Sequence, residues 1–204
     1  PTLEPIDPVR FISNKSSGKQ GYSFAQELAN LGAEVSLVSG PTDLKKPEKI
    51  KKFYQVETAE EMFNACMKNL PKDLFVSVAA VTDWQVKNQA KSKIKKTKSV
   101  PSILLKQNPD ILKSISTHQK RPKLVVGFAA ETNSLINNAK VKIKEKECDI
   151  LIANNVSEKR KVFGSDINSV DIFDKNGFIT KYNKLNKSEI SKKVLSEIIY
   201  PRLR

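Results

Sequence analysis

Arg10-Phe11-Ile12-Ser13-Asn14-Lys15-Ser16-Ser17-Gly18-Lys19-Gln20-Gly21 is the stretch that decides how the chain is read. Phe11-Ile12-Ser13 is a short apolar run, Asn14 to Ser17 carry turn chemistry, and from Gly18 to Leu31 the residues Tyr22, Ala25, Leu28 and Ala29 recur at helical spacing. The stretch therefore reads as strand, turn and helix. Such a unit aims the free N–H groups and the positive dipole end of the helix into the turn, so the expected ligand is anionic, most simply a phosphate.

The common nucleotide fingerprints do not fit this turn. A dinucleotide-binding unit wants G-x-G-x-x-G and an acid after the second strand; here Ser16 takes the place of the first Gly, and Val35 to Val38 ends in Ser39-Gly40-Pro41. A Walker loop needs Ser or Thr after Gly-Lys, and Gly18-Lys19 is followed by Gln20. Both the NAD(P) and the P-loop readings lose weight.

Working outward, Glu34 to Val38 and Lys52 to Val56 read as strands, and Thr58 with Glu61 forms a capping box before the helix Ala59 to Leu70. Leu74 to Val78, Leu124 to Ala129 and Ile150 to Ala153 are near-continuous β-rich runs, the pattern of strands buried on both faces. Alternation of such strands with helices predicts an α/β fold, a Rossmann-like, doubly wound, mostly parallel sheet. Ligands of such sheets bind beyond the carboxyl ends of the strands, so Asn14 to Gly18 and Ala79 to Asp83 are expected to face one crevice.

Between Trp84 and Pro109 stand Lys87, Lys91, Lys93, Lys95, Lys96, Lys98 and Lys106 with no acid, which reads as a self-repelling flap over that crevice unless it is simply a solvated loop. Asn108-Pro109-Asp110-Ile111 opens a helix to about Ser116, with Asn108 expected as the cap. After Glu131-Thr132-Asn133 a helix is expected from Ser134 to Glu147, placing Lys142 and Lys146 on one face. Asn176-Gly177 between Val170 to Phe173 and Phe178 to Tyr182 signals a C-terminal β-hairpin, and Asn186 with Glu189 starts a last helix running to about Tyr200.

At 204 residues the chain suffices for one well-buried α/β domain, and residues 1–204 are taken as one. The formal net charge of +14 is carried mostly by Lys, with arginines only at Arg10, Arg121, Arg160, Arg202 and Arg204. Arginine is the usual reader of bases, so this excess is weak evidence for sequence recognition of nucleic acid, and an anionic small substrate or plain solubility explains it about as well. Cys66 and Cys148 lie without a C-x-x-C or a partner His and read as small apolar residues, while His118 lacks the neighbours a metal ligand needs. No apolar run is long enough to span a bilayer and no signal peptide is visible, so a soluble, cytoplasmic protein is expected. The chain starts at Pro1 without Met and is read as a piece of a longer polypeptide.

Several pieces then coincide in order: Asp7-Pro8-Val9-Arg10-Phe11-Ile12-Ser13-Asn14 with Ser16-Ser17-Gly18-Lys19 and Gly21, Ala79-Ala80-Val81 with Asp83-Trp84, Lys93-Ile94-Lys95-Lys96, Asn108-Pro109-Asp110-Ile111, and Gly127-Phe128-Ala129-Ala130-Glu131-Thr132. Together they resemble bacterial phosphopantothenoylcysteine synthetase, the ligase half of a bifunctional coenzyme A biosynthesis protein, over nearly the whole chain. The resemblance implies that phosphopantothenate, CTP and Mg²⁺ give an acyl-cytidylate and pyrophosphate, after which L-cysteine displaces CMP. It also implies a homodimer, and a flavin-dependent decarboxylase that precedes the ligase and keeps the flavin off this domain. Eukaryotic relatives use ATP, and the Asn-Pro-Asp-Ile stretch favours CTP.

Carried over by position, the resemblance makes Asn14 and Lys93 catalytic, Asn14 at the reacting acyl phosphate and Lys93 on a flap closing over the nucleotide. Nucleotide contacts fall to Ser16, Ser17, Gly18, Ser77, Val78, Ala79, Asp83, Lys93, Pro109, Asp110, Ile111, Leu112, Phe128, Lys142 and Lys146. Substrate contacts fall to Arg10, Asn14, Ala79 and Ala80, and the metal contact to Asp83. Trp84 departs from the expected Tyr, and Lys15 stands where another polar residue is common. A nucleotide-binding module without chemistry and an NAD(P)-dependent reductase are the competing readings.

Overall fold

The computed structural model describes residues 1–96, 100–131, 135–156 and 165–203. Lys98, Thr132, Asn133, Ser134, Arg160 and Arg204, named above, lie outside the described residues. The strands are β1 (Leu3–Pro5), β2 (Phe11–Ser13), β3 (Ser36–Ser39), β4 (Lys52–Gln55), β5 (Leu74–Ser77), β6 (Trp84–Val86), β7 (Leu105–Gln107), β8 (Leu124–Glu131), β9 (Ile150–Asn155), β10 (Ile167–Asp174) and β11 (Gly177–Asn186). The helices are α1 (Lys19–Asn30), α2 (Ala59–Lys68), α3 (Ile111–Ser116), α4 (Leu135–Lys146), α5 (Lys187–Lys193) and α6 (Tyr200–Leu203), the last two joined by a π-helical stretch, Val194–Ile199.

Five strands form the main sheet in the order β11-β10-β9-β8-β5. β5, β8 and β9 are parallel, with Val76 opposite Val126 and Phe128 opposite Ile152, and β10 and β11 close the sheet as an antiparallel hairpin. The turn of that hairpin is the expected Asn176-Gly177, where Gly177 takes φ +127°, a conformation that other residues rarely adopt.

Alternation along β8 shows why the sheet is covered twice. Leu124 and Val126 point to one face, where they meet Phe24 of α1 and Ile190, Val194, Leu195 and Ile199 of the C-terminal helical segment. Val125 points to the other, where it meets Met62 of α2, Ile111 and Ile115 of α3 and Ala139 and Ile143 of α4. Ile150, Ile152, Val170 and Ile172 are fully buried, each side chain contributing about 1.5–3 kcal/mol relative to exposure. This is the Rossmann-like, doubly wound arrangement that the sequence predicts.

The smaller sheets carry the corrections. β2 does run into the anion-type turn and α1, yet it pairs antiparallel with β1, Glu4 opposite Ile12, and is no member of the parallel sheet. β3 and β4 form a separate parallel pair, Val38 opposite Tyr54. Among the described residues β3 pairs only with β4 and β5 only with β8. The lysine-rich segment is pinned at both ends by the antiparallel pair β6 and β7, Gln85 opposite Lys106, so it leaves and re-enters the fold at one place.

Two helix starts follow their signals and one does not. Thr58 Oγ1 accepts from Glu61 N, and Glu61 reaches back to Thr58 N. Glu189 Oε2 accepts from Asn186 N at the start of α5. For α3 the cap is Asp110, whose Oδ1 accepts from Lys113 N at 3.0 Å, and Asn108 is engaged elsewhere.

Candidate active site

Three segments converge at the carboxyl end of β5. Asn14, directly after β2, donates its side-chain amide to the carbonyl of Val81 at 3.0 Å. Asn108, directly after β7, donates its own to the carbonyl of Thr82 at 2.8 Å, and its backbone N–H bonds Asp83 O. The loop between them is tight, with Val81 N bonded to Ala79 O, and Thr2 N bonds Ala80 O. Asn14, Ala79, Ala80 and Asp83 are thereby gathered at one rim, as the sheet rule predicted.

A buried polar network holds that rim from below. Glu4 is 2% exposed; its Oε1 accepts from Ala59 N at 2.9 Å and Thr82 Oγ1 at 3.1 Å, tying the loop to the start of α2. Thr2 Oγ1 accepts from Thr82 N. Buried polar groups cost little only when partnered, and these partners fix one loop geometry.

The turn Ser16 to Gly18 begins α1 as expected, with Gly18 at φ +75° as the residue before the first helical one. Gly18 N points to Ser16 Oγ at 3.4 Å, and Thr42 Oγ1 donates to Ser17 O, bracing the turn against the loop after β3. Gly21 faces Val78 closely enough that a Cβ there would sit 3.6 Å from Val78 Cβ, so Val78 is a packing residue for α1. Ser77 ends β5 half-buried. A ligand here would meet the backbone of Ser77, Val78 and Ala79 before their side chains.

The remaining nucleotide candidates divide between core and surface. Ile111 is 5% exposed and Leu112 lies against Gly127, where an added Cβ would come within 2.6 Å of Leu112 Cδ2, so both anchor α3 to β8. Phe128 stacks edge-to-face on Phe24, ring centroids 6.4 Å apart. Pro109 precedes the Asp110 cap outside the helix. Lys146 pairs with Asp110, joining α4 to the start of α3, and Lys142 Nζ lies 2.6 Å from Glu131 Oε1 at the end of β8. The two lysines share a face, as their spacing predicted, and each meets a carboxylate.

Lys93 is exposed on the flap, but its neighbour is not loose. The backbone of Ile94 is gripped from both sides, its N–H by Asp7 Oδ2 at 3.1 Å and its carbonyl by Arg10 Nη2 at 3.0 Å. Asp7 and Arg10 are themselves paired, Nε to Oδ2 at 3.0 Å, and the Arg10 guanidinium holds the Asp7 carboxyl well below the usual carboxylate range. Sequence reading named Arg10 but gave Asp7 no role. Asp-Pro followed by Arg three residues on is a turn signature that points to it.

Asp83 is exposed and its carboxylate meets no partner among the described residues. No group of three or more His, Cys, Asp or Glu able to hold a metal occurs among those residues. The His118 ring accepts from Lys120 N within its turn. Burial pushes the Cys66 thiol up to about 12 and Cys148 up to about 11, which leaves both protonated and unreactive near neutral pH. No described helix is long and apolar enough to cross a membrane.

An α/β sheet with polar side chains gathered at a strand end, an anion-type turn and a lysine-rich segment fits one class: the chain belongs to the family described as DNA/pantothenate metabolism flavoprotein C-terminal domain, which it matches over residues 1–200. It is 40% identical over 200 residues to the coenzyme A biosynthesis bifunctional protein CoaBC of Haemophilus influenzae, covering 98% of this chain and 49% of that protein. To the protein of the same name from Bacillus subtilis it is 38% identical over 199 residues, covering 97% of this chain and 49% of the relative. The chain thus spans about half the length of these relatives. A crystal structure of the C-terminal domain of a CoaBC protein superposes with a TM-score of 0.77 at 36% identity, covering 98% of this chain and 90% of that one.

Proposed function

We propose that this chain is a phosphopantothenate–cysteine ligase that activates phosphopantothenate with CTP. The observation that carries the reading is the convergence of Asn14, the Ala79 to Asp83 loop and Asn108 at one strand end, joined through β2 to the hairpin turn on which the Lys93 segment is anchored. The relatives are named for coenzyme A biosynthesis, and the solved C-terminal domain supports assigning the ligase to this half.

In the first step the phosphopantothenate carboxylate attacks the α-phosphate of CTP and pyrophosphate leaves. In the second, the cysteine amine attacks the acyl carbon, CMP leaves, and the amine gives up its proton. Two polyanions must approach, and Lys93, Lys142 and Lys146 are the cations that offset their repulsion. Turn backbone and hydroxyls at Ser16, Ser17 and Gly18 orient phosphate oxygens. Asn14 holds the acyl oxygen where negative charge develops as cysteine attacks. One exposed carboxylate without a partner among the described residues is compatible with Mg²⁺, an ion usually bound through one or two carboxylates, so Asp83 is the residue that would hold it, directly or through water. Bound there, the ion would neutralise charge on the triphosphate.

A homodimer belongs to the proposal. Val9, Phe11, Trp84, Leu104 and Leu105 are about half exposed or more on or beside the two small antiparallel pairs, an apolar surface suited to a second copy. Sedimentation at increasing concentration tests it, and a monomer throughout would remove it.

The deciding experiment is pyrophosphate release from CTP and, separately, ATP, with phosphopantothenate and Mg²⁺, with and without L-cysteine. Multiple turnovers that need cysteine and favour CTP are expected, with a single burst when cysteine is withheld. Preference for ATP would correct the nucleotide. No release from folded protein would leave the non-catalytic nucleotide-binding reading.

A further inference from the structure

The β1–β2 hairpin connects the flap anchor at Asp7 and Arg10 with Asn14. Its turn is closed by Ile6 N bonded to Arg10 O at 2.8 Å, and Asp7 Oδ1 accepts from Val9 N and Arg10 N, both at 2.9 Å. Four residues beyond Arg10 comes Asn14, bonded to Val81. An extended strand rises about 3.3 Å per residue, so the turn and Asn14 stand about 13 Å apart on one stiff element.

The flap is fastened to the turn end of that element. Ala90 N donates to Ile6 O at 3.0 Å, and Ile94 is clasped through both of its backbone groups. The Asp7 side chain is fully enclosed, and its two oxygens serve Val9, Arg10 and Ile94. Lys93 stands between the two fastened points with its own side chain in solvent. A lysine on an untethered cationic loop would sample a wide volume, and one bonded at the adjacent residue samples a small one.

We propose that Asp7, acting with Arg10, is a positioning residue: its carboxylate fastens the Lys93 segment to the hairpin that carries Asn14, so that both catalytic side chains are set by one rigid element. The inference rests on the proposed ligase reading for its kinetic consequence, and on the clasp geometry alone for its structural one.

The test uses Asp7→Asn and Ile94→Pro. The first keeps the shape but loses the negative charge that faces Arg10; the second leaves Asp7 intact and removes the flap N–H that it holds. Proline there also restricts Lys93 and blocks trypsin after that lysine, so cleavage is read at the other lysines. Trypsin cleavage between Lys87 and Lys106 is followed on the whole chain under native conditions, with melting temperature and separate kcat and KM for CTP. Faster flap cleavage in both variants, at a temperature where both are still folded by their melting curves, with kcat reduced about tenfold or more beyond any rise in KM, is the expected result. Unchanged cleavage in both folded variants would overturn the clasp. Faster cleavage with unchanged kcat would overturn the positioning role. Should the wild type itself release no pyrophosphate, the ligase reading fails, and the cleavage rates still decide the clasp.

Discussion

Asn14 donates its side-chain amide to the carbonyl of Val81 at 3.0 Å, a bond between residues 67 apart in sequence that ties the turn after β2 to the loop after β5. Replacing it separates the two half-reactions. Asn14→Ala is expected to keep a burst of pyrophosphate from CTP while slowing the cysteine-dependent step about 100-fold or more, the usual loss for one donor to a developing oxyanion. Quenched-flow measurement of pyrophosphate against product reads this, and equal loss in both steps would remove the assigned role.

Lys146 is expected to matter to ligand binding and hardly to folding. Its pair with Asp110 is about one-third exposed on the lysine side, and such surface pairs contribute about 1 kcal/mol or less. Lys146→Ala should therefore shift the urea midpoint little while raising the KM for the nucleotide severalfold. A large stability loss with unchanged KM would reverse the assignment.

Gly127 is demanded by the approach of α3. A Cβ there would lie 2.6 Å from Leu112 Cδ2 and 3.1 Å from Leu151 Cδ1. Gly127→Ala should cost about 1–3 kcal/mol as overpacking, with part recovered by Leu112→Ala in the double variant. Urea denaturation of the four proteins of this cycle checks both signs.

The Asp7–Arg10 pair makes a pH prediction with a definite sign. The guanidinium bond depresses the folded-state value of Asp7, so its contribution to stability is complete above the unfolded carboxyl value of about 3.9 and is lost as pH falls through the lower folded value. The difference in urea midpoint between wild type and Asp7→Asn should be flat from pH 7 to 5 and shrink below about pH 4. A constant difference at pH 3 would contradict it.

The sheet was legible because its strands announce themselves. Leu124 to Ala129 and Ile150 to Ala153 are unbroken β-rich runs, and the nearness of Asn14 to the Ala79 to Asp83 loop matches the sequence expectation although β2 lies outside the parallel sheet. β1, β6 and β7 were not legible, because three residues carry no usable period and Leu3-Glu4-Pro5 includes a proline. The cap of α3 was misassigned between two eligible residues: Asn108 and Asp110 both favour the role, and the need to bond Thr82 decided it. The role of Asp7 is not legible in the sequence because its decisive partner, Ile94, lies 87 residues away, a distance that local pattern cannot bridge.

The ion pairs at Lys142 with Glu131 and Lys146 with Asp110 have a consequence for how ionic strength acts on the protein. A bare cationic site gathers counterions from solution and releases them when its ligand arrives, which gives steep weakening with added salt. Here the neutralising anions are built into the chain, so an incoming polyanion exchanges with Glu131 and Asp110 instead of with dissolved chloride. Binding at this face should weaken with salt less steeply than its lysines would suggest, and should strengthen at once when either carboxylate is made an amide.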